Sequence, residues 1–166
     1  MDTSIKGRVH RFGDNINTDM INPAQYMELS MEAMVEHVLE GADPDFAKKV
    51  RPGDIIVAGK NFGSGSSRET APVSIQGSGV ALVIAEFYAR IFYRNAINVG
   101  LKVLTCAAVS EIRDGDELEV HPLSGLIKNL STGKEYQCPP LPGHIMALVN
   151  DGGLLNHLDK KLNQRA

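Results

Sequence analysis

Apolar residues along the chain follow two rhythms. Three short runs, Asp54-Ile55-Ile56-Val57-Ala58, Gly79-Val80-Ala81-Leu82-Val83-Ile84-Ala85 and Val99 to Leu104, are almost unbroken by polar side chains. Such runs predict strands covered on both faces, as in a parallel sheet flanked by helices. Ile5 to Phe12 alternates loosely and reads as a first strand, with Ile5, Val9 and Phe12 as burial candidates. Between the runs the spacing turns helical. Ser30 can cap a helix reaching Leu39 whose apolar face is Met31, Met34, Val35 and Val38, and His37 then falls on the opposite, solvated face. Ala71 to Gly77 and Glu86 to Ala96 predict two more helices, the second placing most of Phe87, Ile91 and Phe92 in the core. After Glu111 the pattern shortens. Glu111–Pro122 and Gly125–Tyr136 predict small antiparallel strands joined by glycine turns, then a terminal helix within 142–158 reaches the Gly152-Gly153 break. Residues 159–166 read as a flexible charged tail. The sum is one α/β domain spanning 1–166, with a mainly parallel central sheet and a small antiparallel β portion.

The richest candidate chemistry lies where the first unbroken strand hands over to a helix, at Gly59-Lys60-Asn61-Phe62-Gly63-Ser64-Gly65-Ser66-Ser67-Arg68-Glu69-Thr70. Free backbone N–H groups and the positive end of a helix favour an anion there, and glycine permits close approach. Arg68 adds a planar fork suited to a carboxylate or phosphate. Pro72 is tolerated in the first helical turn. No Gly-Lys-Ser/Thr closes the stretch, so a nucleotide P-loop fails on pattern. Upstream, Gly13-Asp14-Asn15-Ile16-Asn17-Thr18-Asp19 is a polar cluster that either caps its own turns or brings Asp14 or Asp19 to face the anion site. Arg90 and Arg94 share a helix face, directed at the same anion site or at salt bridges.

Charge and composition narrow the partners. With 17 basic and 20 acidic residues the net charge is −3, which offers neither nucleic acid nor an anionic membrane an electrostatic footing. No apolar run approaches the roughly 18 residues that span a bilayer, and Met1-Asp2-Thr3-Ser4-Ile5-Lys6 has no leader pattern, so a cytoplasmic protein is expected. The two cysteines are too few for an iron–sulfur cluster or a structural zinc site. Cys106 is expected as a buried strand-end thiol and Cys138 as a loop residue, with neither a disulfide nor a metal.

Three segments, Asp14-Asn15-Ile16-Asn17-Thr18-Asp19, Asn61-Phe62-Gly63-Ser64-Gly65-Ser66-Ser67-Arg68-Glu69 and Ala89-Arg90-Ile91-Phe92-Tyr93-Arg94-Asn95, occur in this order. Together they closely resemble the small subunit of 3-isopropylmalate dehydratase, the separate-chain version of the swivelling β/β/α domain of the aconitase superfamily. The resemblance covers nearly the whole chain. It implies a half-enzyme for leucine biosynthesis, a hydro-lyase that reversibly dehydrates and rehydrates an alkyl-substituted malate. Its partner would be a large subunit carrying a [4Fe–4S] cluster, in a heterodimer or heterotetramer, with no metal bound by this chain. By motif position Ser66 resembles the catalytic base and Asp19 the active-site acidic residue, while Arg68, Ser67, Gly65 and Ser64 match the substrate-binding turn.

By the same resemblance, substrate choice lies in the loop after Asn22-Pro23-Ala24. Homoaconitase-type members are expected to carry an arginine shortly after a tyrosine there, whereas this chain has Tyr26-Met27-Glu28-Leu29. Glu28 would repel an extra carboxylate, and Met27 and Leu29 would line an apolar pocket, unless Glu28 points to solvent and Met27 is simply packed. That loop, and Thr70 where histidine or serine is commoner, depart from the family pattern and leave room for dimethylmalate or citramalate. A non-catalytic module using the turn only to hold an anion is the alternative from a different class, and an RNA-binding role finds no basic stripe.

Overall fold

The computed structural model describes residues 4–165. Met1–Thr3 and Ala166 lie outside them, and with them part of the N-terminal stretch expected to carry no leader and the last residue of the expected tail. The chain runs through β1 (Ile5–Arg11), α1 (Thr18–Ile21), α2 (Met31–Val35), α3 (Phe46–Lys49), β2 (Ile55–Ala58), α4 (Thr70–Gly77), β3 (Leu82–Ala85), α5 (Arg90–Val99) and β4 (Val103–Thr105). Then come β5 (Glu117–His121), β6 (Leu126–Asn129), β7 (Glu135–Gln137), α6 (Gly143–Asn150) and α7 (Leu154–Arg165). All seven strands join one sheet in the order β4-β3-β2-β1-β5-β6-β7.

The sheet is an α/β sheet, but only half of it is parallel. β1 pairs with β2, β2 with β3 and β3 with β4 in parallel, whereas β1–β5, β5–β6 and β6–β7 are antiparallel. The antiparallel part is therefore as large as the parallel part and continuous with it. Strand β1 makes the join: its first half, Ile5 to Arg8, pairs with β5, and its second half, Val9 to Arg11, pairs with β2. That division explains its loose alternation, because the first half is partly exposed while Val9 is fully buried between two strands.

Strands β2 and β3 are buried on both faces along their whole lengths, as their unbroken apolar runs predict. Alternate residues feed two cores. Ile56, Ala58, Val83 and Ala85 pack with Phe62, Ala71, Ile75, Phe92 and Ala96 under the helices. Ile55, Val57, Leu82 and Ile84 pack on the other side with Leu118, Val120, Ile127 and Met146 inside the curl of the sheet. Each fully buried Val, Leu, Ile, Phe or Met side chain among them contributes about 1.5–3 kcal/mol.

The curl also corrects the reading of the cysteines. Cys106 follows β4 and Cys138 follows β7, strands at opposite ends of the sheet order, yet the two residues are joined as a disulfide with Cα atoms 5.3 Å apart. Both are buried in the core inside the curl. Pairing between residues 32 positions apart depends on the sheet bending its two edges toward each other, which local pattern does not report.

Two helices end differently from their sequence pattern. Helix α2 starts as predicted, with Ser30 Oγ accepting from the Ala33 N–H at 3.3 Å, but stops at Val35. Its successor residues turn so that Leu39, at φ 56°, is fully buried and donates its N–H to Ile21 O at 2.8 Å. At the other end, residues 154–165 continue as a helix where the charge pattern predicts a flexible tail from 159. The chain breaks at Gly152 and Gly153, both with positive φ, and restarts with Asp151 accepting from His157 Nδ1 at 2.7 Å and Lys160 Nζ at 3.1 Å. Those bonds, His157 first, hold the Asp151 carboxyl below the usual carboxylate range, and its negative charge sits well before a helix N-terminus.

Candidate active site

Loops at the carboxyl ends of parallel strands are where ligands meet an open α/β sheet. Here the loop after β2 is stitched to the loop after β1. Gly59 N donates to Gly13 O at 3.0 Å, Asn15 N to Lys60 O at 2.8 Å, Gly63 N to Ile16 O at 2.7 Å and Thr18 N to Ser64 O at 2.8 Å. Asp14 is consumed by this seam. Its Oδ1 accepts from Lys60 N at 2.7 Å and lies 1.9 Å from where a Cβ on Gly59 would be, so Asp14 builds the loop.

On the other side the same loop is tied to the segment after β3. Phe62 N donates to Phe87 O at 3.1 Å, and Ala89 N to Phe62 O at 2.9 Å. The Phe62 ring is fully buried, edge-on to Phe92 with centroids 5.2 Å apart. Gly63 follows at φ 84°, and a Cβ there would stand 2.2 Å from Phe92 Cγ. Gly63→Ala therefore combines a left-handed backbone with a clash and is expected to cost about 2–4 kcal/mol, read as a lower urea midpoint of the isolated chain.

Beyond this anchored base the chain rises into solvent. Gly65, at φ 99°, turns it outward, so that Gly65, Ser66 and Ser67 are exposed while Ser64 and Arg68 are half-buried. The serines occupy the loop ahead of α4, which starts only at Thr70, so their surroundings are set by the loop after β1 more than by the helix terminus. Ser66 Oγ lies 3.2 Å from Thr18 Oγ1. Thr18 is itself buried at the start of α1, whose N-cap Asn17 accepts from Met20 N at 2.8 Å.

Helix α1 also presents Asp19 to Arg68. Arg68 Nη1 donates to Asp19 Oδ1 at 3.1 Å and to Asn22 O at 2.8 Å. Asp19 Oδ1 further accepts from Ala24 N at 3.1 Å, and its carboxyl is held below the ordinary value, chiefly by the Arg68 hydrogen bond and then by Ala24. The Asn22 side chain donates to Thr70 Oγ1, tying α1 to the start of α4. Both Arg68 contacts use Nη1, which leaves Nη2 and Nε to grip a carboxylate in the plane of the guanidinium.

The structure thus brings together Ser66, Arg68 and Asp19. Of the open pair, Asp19 faces the site and Asp14 does not. Of the two roles expected of Arg90 and Arg94, the salt bridges are not formed among the described residues, and Arg90 lines a shallow hollow with Phe87, Tyr88, Tyr93 and Thr105. Phe87 and Ile91, expected in the core, are 48% and 44% exposed. Thr18 and Asn22 are the site residues that composition conceals, since both read as ordinary turn formers. The signal that could have found them is position, immediately beside Asp19.

Tyr26 ends a 3-10 turn, Ala24–Tyr26, directly after Asn22, and Met27, Glu28 and Leu29 follow it in exposed positions. Because Asn22 O touches Arg68, this loop begins at the anion site itself. His37, expected to be solvated, is instead half-buried against Tyr26. Among the described residues no group of three His, Cys, Asp or Glu side chains could hold a metal ion, and no helix is long and apolar enough to cross a membrane.

Comparison with known proteins identifies the family and the fold. A family model described as the aconitase C-terminal domain matches residues 3–108. The isopropylmalate/citramalate isomerase small subunit of Methanocaldococcus jannaschii is 54% identical over 164 residues, covering 98% of both chains. The methanogen homoaconitase small subunit of Methanothermobacter thermautotrophicus is 51% identical over 164 residues, covering 98% of this chain and 95% of its own. The crystal structure of 3-isopropylmalate dehydratase LeuD from Methanocaldococcus jannaschii matches with a TM-score of 0.93 and 44% identity, covering 98% of each chain.

Proposed function

We propose, from the premise that this chain belongs to the aconitase C-terminal-domain family and within it to the small subunits of the 3-isopropylmalate dehydratase type, that its 59–70 loop supplies the base and the carboxylate clamp for reversible dehydration of an alkyl-substituted malate. The observation that carries the reading is that α1 and its C-cap meet both residues: Thr18 Oγ1 lies 3.2 Å from the Ser66 hydroxyl, while Asp19 and Asn22 O fix the orientation of the Arg68 guanidinium.

In this reading Arg68 holds a substrate carboxylate with its remaining N–H groups, assisted by Ser64, Gly65 and Ser67. Ser66 Oγ, as alkoxide, takes the carbon-bound proton and later returns it. A serine alkoxide lies several pKa units from its favoured state in water, so it needs nearby donors and positive charge. Thr18 can donate to Ser66 Oγ, and Arg68 supplies the charge. This chain offers no donor set for an iron–sulfur cluster, since its two cysteines are bonded to each other, so the cluster would belong to a large subunit. Bound there, it supplies a Lewis acid for the departing hydroxyl.

Relatives of near-equal identity carry names that point to different substrates, so identity alone does not choose among them. The loop chemistry does favour one class. Met27 and Leu29 are 36% and 41% exposed and offer apolar surface, while the exposed Glu28 between them adds negative charge to the loop, which suits an isopropyl group better than a further carboxylate. The test is to mix the chain with a cluster-bearing large subunit and assay isopropylmaleate hydration beside homocitrate, citramalate and dimethylmalate. Turnover is expected only in the mixture, with isopropylmalate preferred. A preference for homocitrate overturns the reading of Glu28, and no turnover on any substrate returns the chain to a simple anion-binding module.

A further inference from the structure

The loop that starts at the anion site is tied down at a second point. The Tyr26 and His37 rings stack face to face, with centroids 3.7 Å apart and planes 8° from parallel. Glu40 bridges them: Oε1 accepts from the Tyr26 hydroxyl at 2.7 Å and Oε2 meets His37 Nδ1 at 2.6 Å. We infer that Tyr26, His37 and Glu40 form a clamp that fixes the 24–29 loop against the Arg68 site, making Glu40 and His37 positioning residues for substrate selection.

The clamp has a rigid footing. Glu40 lies between Leu39, whose N–H bonds Ile21 O at 2.8 Å, and Gly41, whose N–H bonds Met20 O at 3.1 Å. A Cβ on Gly41 would stand 2.7 Å from Met20 Cα, so the turn lies flat on α1. Helix α1 also carries Asp19, which holds Arg68 and the Ala24 N–H. One helix therefore references both the cation that grips the carboxylate and the loop that meets the rest of the substrate. Between these two ties the loop closes on itself, with Met27 N donating to Ala24 O at 3.2 Å and Leu29 N to Tyr26 O at 3.0 Å. Met27, Glu28 and Leu29 are left as the free, outward part. The charges agree with the geometry: the Glu40 carboxyl is held down by the Tyr26 and then the His37 hydrogen bond, and the Tyr26 phenol is pushed up by its bond to Glu40. Holding the stack in one arrangement keeps the 27–29 side chains at one distance from Arg68, which is what discrimination by shape and charge requires.

This inference rests on the proposed dehydratase reading, and its test has one arm that does not. In the enzyme reconstituted with its large subunit, Glu40→Ala is expected to raise KM for isopropylmalate about tenfold with kcat changed little, and to narrow the isopropylmalate-to-homocitrate ratio of kcat/KM by a similar factor. Glu40→Gln, which keeps an oxygen for the Tyr26 hydroxyl, is expected to restore most of both. Amide hydrogen exchange of residues 24–29 in the isolated chain is expected to speed up in Glu40→Ala and not in Glu40→Gln. Unchanged exchange overturns the clamp outright. Faster exchange with an unchanged substrate ratio also overturns the assignment, because the clamp is then merely structural. If the wild-type mixture turns over none of the substrates, the dehydratase reading fails and takes the selective role with it, while the exchange arm still decides whether the clamp holds the loop.

Discussion

Alanine at Ser66 is expected to lower the turnover of the reconstituted enzyme by about 10²–10⁴-fold, the range typical of a positioned proton-transfer group. The large subunit should still bind with unchanged affinity, and KM should move little. The argument for that split is geometric. Ser66 is exposed and among the described residues its hydroxyl meets Thr18 alone, so removing it opens no cavity and gives up that one side-chain contact while the backbone bonds between the loops after β1 and β2 stay in place. The carboxylate grip stays with Arg68, whose contacts to Asp19 and Asn22 do not pass through Ser66. An interaction present only in the transition state lowers kcat and kcat/KM together, which is the signature to look for in steady-state assays. Urea unfolding of the isolated variant should coincide with the parent. Unchanged turnover would remove Ser66 from the chemistry, and lost turnover with a lost complex would make it an interface residue.

How much of this could be read from the chain depends on how local each cause is. The unbroken apolar runs of β2 and β3 announce strands covered on both faces, because burial on two sides leaves no polar positions to alternate. The dual pairing of β1 is invisible for the opposite reason: the same alternating residues would serve an antiparallel or a parallel neighbour, and the choice is made by β5 and β2. Strand–helix handover and glycine content mark the 59–70 loop as a place for an anion. The resemblance of ordered motifs puts Asp19 and Arg68 in one active site, but their ion pair across 49 residues is announced by neither the motifs nor the spacing. The disulfide and the Tyr26–His37–Glu40 stack share one kind of illegibility. Each joins residues whose neighbours in sequence point elsewhere, Cys138 in a proline-rich loop and His37 on what reads as the wet face of a helix. In the second case the helix stops at Val35, so the periodicity that assigned His37 to solvent no longer applies where His37 sits.

Arg68→Ala should act on KM where Ser66→Ala acts on kcat. Losing one partner of a charge pair that is buried and hydrogen-bonded weakens binding strongly, and here the loss falls on the substrate carboxylate enclosed in the complex, with the exposed Asp19 left as a negative charge beside it. Arg68→Lys is not expected to rescue it. One ammonium cannot reach Asp19 and Asn22 O and also present two parallel N–H groups to a carboxylate. Acid pH gives an independent check on the same pair. The Asp19 carboxyl is held below its ordinary value of 3.8, so it stays ionised, and Arg68 stays oriented, from neutral pH down through the usual carboxylate range. The pairing is lost only as pH falls through that depressed folded value. KM should accordingly be flat across the neutral and mildly acidic range in the parent enzyme, wherever the substrate itself remains ionised. Asp19→Asn keeps an acceptor for the Ala24 N–H but no charge for Arg68, and is expected to raise KM less than Arg68→Ala does. A KM for Asp19→Asn equal to that of Arg68→Ala would mean that orientation, not the guanidinium's own grip, is what the substrate feels.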